Sequence, residues 1–137
     1  MIGLASEPNH AWLKAHGVVP VQYGQGMAER IREACGGNVD AFIDTFGDGY
    51  VQLAVELGVR PERINTIRDW QTAARIGSRT CGEGAAACAV VLGELARLAA
   101  RGELEVQIAR TYPLEQVRDA FCELELGHTH GKIALRP

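Results

Sequence analysis

The chain has 137 residues, 47% of them hydrophobic and 23% charged, and its formal net charge at pH 7 is −3. This length predicts one domain that buries about two-thirds of the surface exposed by the unfolded chain. The Lys and Arg residues are scattered, which argues against the basic patch of a nucleic-acid-binding protein. The sequence contains neither a membrane-length apolar run nor a secretory signal after Met1, so it favours a cytoplasmic protein without membrane contact.

The cysteine and histidine residues give no metal motif. No two of the four cysteines form a C-x-x-C pair, which argues against a structural zinc site and favours buried free thiols; the four are Cys35, Cys81, Cys88 and Cys122. His128 and His130 lie in the polar turn H-T-H-G with no third ligand nearby in sequence. We therefore expect turn residues there, and no metal site in the chain.

The first half of the chain alternates short apolar runs with amphipathic segments. Strands are predicted over residues 2–5, 18–21, 39–43 and 64–67, and helices over 7–17, 27–35 and 50–57. Ser6 is a suitable N-cap for the first helix, and glycines follow each helix as C-terminal stops. The pattern of residues 70–76 favours a helical turn, but residues 75–81 equally fit a strand, and the sequence leaves this open.

The second half continues the same alternation. A long Ala- and Leu-rich helix is predicted over residues 85–101, a strand over 105–109, a helix beginning at Pro113 and a final strand over 132–135. Strands that alternate with helices predict an α/β fold, in which a mainly parallel sheet has crossover helices on both faces. We expect residues 1–137 to form one such domain.

The stretch V-D-A-F-I-D-T-F-G-D-G, residues 39–49, is the first candidate for a functional site. Its apolar run indicates a buried parallel strand, and an acidic residue and a glycine-rich turn follow. Ligands of open α/β sheets bind at such carboxyl ends of strands, which makes Asp44, Thr45 and Gly47 candidate site residues. The alternative is that Asp44 only caps the next helix.

Four segments resemble the medium-chain dehydrogenases and reductases, in particular their quinone-oxidoreductase-like branch. They are I-G-L-A-S-E-P-N-H-A-W-L-K-A-H-G-V, V-D-A-F-I-D-T-F-G-D, N-T-I-R-D and A-R-T-Y-P-L-E-Q-V-R-D-A-F-C-E-L-E-L-G-H-T-H-G-K-I-A-L. The resemblance implies a Rossmann-like cofactor-binding domain that lacks the family's first strand and glycine-rich loop. It also implies that the GroES-like catalytic domain, with most of the family's zinc ligands, has no counterpart here, so no zinc site carries over and the catalytic residues stay unknown.

The same resemblance implies positions for NADP(H). Ser6 and Asn9 match the turn that receives the adenosine 2′-phosphate in this branch, and Tyr23 matches a loop tyrosine near the adenine end. Asp44, Thr45 and Gly47 match the strand end and turn beside the ribose and nicotinamide. The second strand of the family's domain ends here without the acidic residue that holds the ribose of NAD, which favours NADP(H).

Two functions of different classes remain open at this point. The first is part of an NADPH-dependent reductase for an enone, quinone or similar small molecule, not active alone and weak in NADPH binding because the phosphate-binding loop is missing. The second is a cofactor-independent biosynthetic enzyme or dimeric binding module, with a pocket beyond Asp44 and Asp69.

The missing first strand leads to a structural expectation. We predict that the strand at Ile2 pairs directly with the strand at Val39, within a homodimer or with a partner that supplies the missing domain. We also expect the turn around Gly47 to be exposed, so that Gly47→Val leaves the melting temperature nearly unchanged while it abolishes ligand binding.

Overall fold

The computed structural model describes residues 1–81, 88–127 and 129–137. The chain divides into two compact units, Met1–Ala86 and Ala87–Pro137. Among the described residues, the first unit has two parallel strand pairs and the second has one, each with helices, so the α/β class expected from the sequence is confirmed.

The first unit contains four strands and four helices among its described residues. In chain order they are β1 (Ile2–Leu4), α1 (His10–Ala15), β2 (Val19–Val21), α2 (Met27–Cys35), β3 (Phe42–Asp44), α3 (Tyr50–Glu56), β4 (Ile64–Thr66) and α4 (Trp70–Ile76). Single 3-10 turns precede α1 and β4. The helix predicted over residues 27–35 is confirmed as α2, which ends at Gly36 in the left-handed conformation with φ of 69°.

The second unit contains α5 (Ala89–Ala100), β5 (Ile108–Pro113), α6 (Val117–Glu125) and β6 (Lys132–Arg136). The predicted start of its long helix at residues 85–87 lies outside the described residues, as does His128. The strand predicted over residues 105–109 is displaced to Ile108–Pro113 because its register is set by pairing with β6, from Ile108 opposite Lys132 to Pro113 opposite Arg136.

The described strands pair in three parallel ladders, β1 with β2, β3 with β4 and β5 with β6. Each pair is consecutive in the chain and is joined through a helix, which is the local crossover unit expected of parallel strands. The predicted direct pairing of the strand at Ile2 with the strand at Val39 is wrong, since no ladder joins β1 to β3 within residues 1–81. Each strand pairs instead with the strand that follows or precedes it across one helix, β1 with β2 and β3 with β4.

One hydrophobic core underlies all four strands of the first unit. Its buried members are Val21, Ile31, Val51, Leu53, Ala54, Leu57, Val59 and Ile64. Ile2, Leu4 and Phe42 are half-buried and pack against this cluster. All four strands of the first unit therefore pack on the same hydrophobic core.

Three local expectations are corrected by the structure. The strand predicted over residues 39–43 runs instead from Phe42 to Asp44, and Ile43 is 74% exposed, so this strand is not buried on both faces. Residues 70–76 form the helix α4, while Arg79 makes an isolated parallel bridge with Asn65, so both alternatives hold in part. The cysteines are free thiols, but Cys81, Cys88 and Cys122 are exposed and only Cys35 is partly covered.

No helix in the described part of the chain is long and apolar enough to span a membrane.

Candidate functional site

A buried hydrogen bond joins the ends of β3 and β4. Asp44 and Thr66 are the last residues of these strands and lie opposite each other in the ladder. The Thr66 hydroxyl donates to Asp44 Oδ2 over 2.6 Å, and the two residues are only 1% and 0% exposed. The two strand ends are therefore fixed to each other through side chains as well as through the backbone.

The other oxygen of Asp44 holds the turn that follows β3. Asp44 Oδ1 accepts hydrogen bonds from the backbone N–H groups of Phe46 at 2.9 Å and Gly47 at 2.8 Å. The next helix, α3, begins only at Tyr50 and its N-cap residue is Gly49, so the alternative that Asp44 caps this helix is wrong. Both oxygens of Asp44 accept hydrogen bonds within the protein, and its part in any site is to position the turn.

Thr66 fixes the turn after β4 in the same way. Its Oγ1 atom accepts hydrogen bonds from the N–H groups of Arg68 at 3.1 Å and Asp69 at 3.0 Å. Asp69 in turn accepts from the N–H group of Thr72 at 3.0 Å and caps α4. One chain of hydrogen bonds thus connects the turn after β3, the turn after β4 and the start of α4.

A cleft of about 400 Å³ lies at these two turns and is lined by Phe46, Gly47, Asp48, Arg68, Asp69 and Trp70. Phe46 and Trp70 are 63% and 52% exposed, so the cleft offers two aromatic side chains beside charged groups of both signs. Such a combination suits a planar ligand with polar substituents. Thr45 is exposed on the same turn.

Gly47 is buried, and both its backbone conformation and its surroundings disfavour a side chain. Its φ is +91°, and a Cβ atom built on it would lie 3.2 Å from the Cβ atom of Arg68. The turn is exposed at Thr45, Phe46 and Asp48, as expected, but Gly47 itself is buried. We now expect Gly47→Val to lower stability, because it adds left-handed backbone strain and a contact with Arg68.

Tyr50 links the turn after β3 to Tyr23, which follows β2. Burial raises the pKa of the Tyr50 phenol, and the nearby Tyr23 and Asp44 raise it further. The rings of Phe46 and Tyr50 meet edge to face with centroids 5.5 Å apart. Tyr23 itself is 45% exposed. The structure thus brings Asp44, Gly47 and Tyr23 to one end of the strands of the first unit.

The loop that carries Tyr23 is held by Arg30, a residue that the sequence analysis did not select. The Arg30 guanidinium donates to the carbonyl of Gln22 at 2.8 Å and 3.1 Å, and to the carbonyl of Gln25 at 2.8 Å. A signal was present in the sequence, since the turn Q-Y-G-Q-G leaves carbonyl groups outside any strand or helix and Arg30 is the first cation after it.

Ser6 and Asn9 form a separate polar pair just beyond the end of β1. The Asn9 amide donates to Ser6 Oγ over 3.0 Å. Ser6 occupies the N-cap position of the 3-10 turn, but its side chain makes no capping hydrogen bond to the backbone. The N-cap prediction is therefore correct in position, but the Ser6 hydroxyl accepts from the Asn9 amide and makes no capping bond.

Metal ligands do not converge in the described part of the chain. No group of three or more His, Cys, Asp or Glu side chains is assembled there in a way that would hold an ion.

Comparison with known proteins gives one family. The family model described as zinc-binding dehydrogenase matches residues 13–135. No curated protein sequence matches the chain.

Solved structures of similar fold agree with the family match. A quinone oxidoreductase from Coxiella burnetii is 25% identical with a TM-score of 0.74, over 99% of this chain and 44% of that one. An NAD-dependent alcohol dehydrogenase is 22% identical with a TM-score of 0.75, over 99% and 43%. CurK enoyl reductase is 15% identical with a TM-score of 0.62, over 97% and 46%. The chain spans less than half the length of these structures.

Proposed function

Because this chain belongs to the zinc-binding dehydrogenase family, we propose that it forms part of the NADP(H)-binding half of a reductase for an enone, quinone or related small carbonyl compound. The observation that carries the proposal is the pair of turns fixed by Asp44 and Thr66, which form a cleft at the carboxyl ends of two parallel strands. Ligands of open α/β sheets bind at this end of the strands.

The roles of the individual residues follow the order of the strands. Ser6 and Asn9 offer a hydroxyl and an amide for the adenosine 2′-phosphate, and Tyr23 offers an exposed ring near the adenine. Thr45 and Gly47 lie on the turn proposed for the ribose and nicotinamide, and Asp44 holds that turn. The bound cofactor would supply hydride, while these residues orient it and exclude water from one side.

We expect the isolated chain to bind NADPH weakly and to show no reductase turnover. The sequence has no G-x-G-x-x-G loop after a strand, so several charge-assisted hydrogen bonds to the pyrophosphate are missing. Each is worth about 1.5–3 kcal/mol, and a few such losses lower affinity by several powers of ten. Submicromolar binding of NADPH in a calorimetric titration, or sustained NADPH oxidation with simple quinones, would contradict this expectation.

Amide chemical shifts detect millimolar binding and therefore test the proposal directly. Adenosine 2′,5′-bisphosphate should shift the amide signals of Ser6, Asn9 and Tyr23 and should bind at least about tenfold more tightly than adenosine 5′-phosphate, because of the additional charged contacts. Ser6→Ala should remove this preference. Ser78→Ala is the matched control, because the Ser78 hydroxyl is buried without a hydrogen-bond partner. Equal affinity for the two nucleotides, or no shifts at these residues up to millimolar ligand, would refute the proposal.

A second function remains a candidate because the cleft does not depend on a nucleotide. Its aromatic lining by Phe46 and Trp70, beside charged groups of both signs, would suit a small planar molecule with polar substituents in a cofactor-independent enzyme or binding module. Signals that shift with such a molecule at the cleft, and not with nucleotides at Ser6 and Tyr23, would favour this function.

Partners are part of the proposal. We expect a homodimer, or a complex with a polypeptide that supplies the catalytic domain. Exposed apolar side chains of α5 support such an assembly, with Val90 and Leu92 80% and 67% exposed. Sedimentation measures the oligomeric state, and a monomer at all concentrations would exclude the homodimer.

A further inference from the structure

The cleft at the turns after β3 and β4 carries more negative than positive charge. Its charged lining residues are Asp48, Asp69 and Arg68. Asp48 is exposed and Asp69 is half-buried, so both carboxylates are accessible to a ligand. Within the described residues, Arg68 forms no ion pair with either of them. The two negative charges of the cleft are therefore not neutralised by a direct contact with its one positive charge.

The amide donors of the two turns are already bonded inside the protein. Asp44 Oδ1 accepts from two N–H groups after β3, and Thr66 Oγ1 accepts from two N–H groups after β4. The four donors are those of Phe46, Gly47, Arg68 and Asp69. Free amide groups in such turns form the cradles that bind phosphate and other anions. Because these four are occupied, the turns are poorly suited to an anionic ligand.

The two aromatic side chains of the cleft favour a positive charge. Phe46 packs edge to face against Tyr50, and Trp70 is the first residue of α4, whose start is capped by Asp69. Both rings are more than half exposed, so a ligand can contact them. The face of an aromatic ring attracts a cation, and each such contact at an exposed site strengthens binding by about two- to fivefold.

We propose that this cleft binds a small planar aromatic cation, whose ring lies against Phe46 and Trp70 and whose positive group faces Asp48 and Asp69. An aryl amidine has this chemistry, because its paired N–H groups match the two oxygens of a carboxylate as a guanidinium does. The cleft volume of about 400 Å³ lies in the range of small-molecule sites. The inference rests on the cleft alone and holds whether or not the chain binds a nucleotide.

Three ligands of one shape and different charge test the inference on the unmodified chain. Benzamidine is a cation at neutral pH, benzamide is uncharged and benzoate is an anion, while the ring and the size of the planar substituent stay the same. Titrations followed by the amide chemical shifts of Phe46, Asp48 and Trp70 should show benzamidine binding at least about fivefold more tightly than benzamide, and benzoate most weakly. Equal affinity for benzamidine and benzamide, tighter binding of benzoate, or no shifts at these residues up to millimolar ligand would overturn the proposal.

Variants that remove one charge at constant shape identify the carboxylates. Asparagine tolerates the left-handed φ of 49° at Asp48 and caps helices as well as aspartate does at Asp69. Asp48→Asn and Asp69→Asn should each weaken benzamidine binding by at least about twofold and leave benzamide binding unchanged. Asp40→Asn is the matched control, because it removes an exposed carboxylate that precedes β3 and does not line the cleft. An equal loss in this control would mean that only the net charge of the chain matters, and would overturn the proposal.

Arg68→Gln tests the balance of charge from the opposite side. It removes the only cationic side chain of the described lining and should strengthen benzamidine binding by at least about twofold. Unchanged or weaker benzamidine binding would contradict the assigned negative excess. These results are independent of the nucleotide proposal, which is tested at Ser6, Asn9 and Tyr23, because none of these three residues lines the cleft.

Discussion

Replacing Thr66 by valine should loosen both turns of the cleft at once. The substitution keeps the shape of the side chain but removes the hydroxyl group that donates to Asp44 at 2.6 Å. It also removes the acceptor of the N–H groups of Arg68 and Asp69, at 3.1 Å and 3.0 Å. Three hydrogen bonds are lost through one atom, and one of them leads to a buried carboxylate.

The expected cost follows from those three bonds. A hydrogen bond to a charged group contributes about 1.5–3 kcal/mol, and an ordinary one about 0.5–1.5 kcal/mol. Water reaches the two half-buried N–H groups in part, and the added methyl group recovers about 0.8 kcal/mol of burial. We therefore expect Thr66→Val to lower the free energy of unfolding of the first unit by about 2–4 kcal/mol.

Urea unfolding followed by tryptophan fluorescence measures this cost. Trp12 and Trp70 are the two tryptophans of the chain, and both lie in the first unit, so the signal reports on that unit. Thr66→Ser is the matched control, because it keeps the hydroxyl and loses one buried methyl group, which costs about 1 kcal/mol. A loss below about 1 kcal/mol for Thr66→Val, or a larger loss for Thr66→Ser, would refute the assigned role of the hydroxyl.

Asp44→Asn tests the same bond from its other side. An amide nitrogen at this position would donate, but Thr66 Oγ1 already accepts from two N–H groups and has no lone pair left. The variant should therefore be destabilised despite its unchanged shape. The double variant Asp44→Asn with Thr66→Val should be more stable than the sum of the single losses predicts, by about 0.5–3 kcal/mol. Additive losses would show that the two side chains act independently.

Three further predictions concern other contacts. Gly47→Ala should lower the free energy of unfolding by about 1–3 kcal/mol because of backbone strain. The loss should exceed that of Gly36→Ala, because Gly36 is also left-handed but has open space around it. Urea unfolding compares the two variants, and equal losses would contradict the close contact at Gly47. Because the pKa of Tyr50 is raised in the folded chain, the unfolded chain loses this proton at lower pH, so the contribution of Tyr50 to stability is fully present below pH 10 and is lost above it. Tyr50→Phe should therefore flatten the decrease of the free energy of unfolding with pH in alkaline unfolding curves, and an unchanged slope would refute this. In the second unit, Tyr112→Phe removes the hydroxyl group that donates to Glu123, and should cost about 1 kcal/mol by calorimetry, whereas no change would mean that water replaces this bond.

The sequence by itself determined the helices and the class of the fold. The helix α2 was located to the residue because its apolar positions recur at helical spacing and Gly36 supplies the left-handed stop, and both signals are local. The turn after β3 was also selected from a local pattern, since acidic and glycine residues follow an apolar strand, and its role as a ligand site stays a prediction.

Tertiary structure decided what depends on distant residues. Asp44 is bonded to a residue 22 positions away, so the sequence alone could not distinguish a helix cap from a bond between strand ends. The same holds for β5, whose limits are set by β6, and for β1, which pairs with β2 and leaves its second edge open. Strand registers and buried polar partners arise from contacts between separate segments, and no periodicity within one segment encodes them.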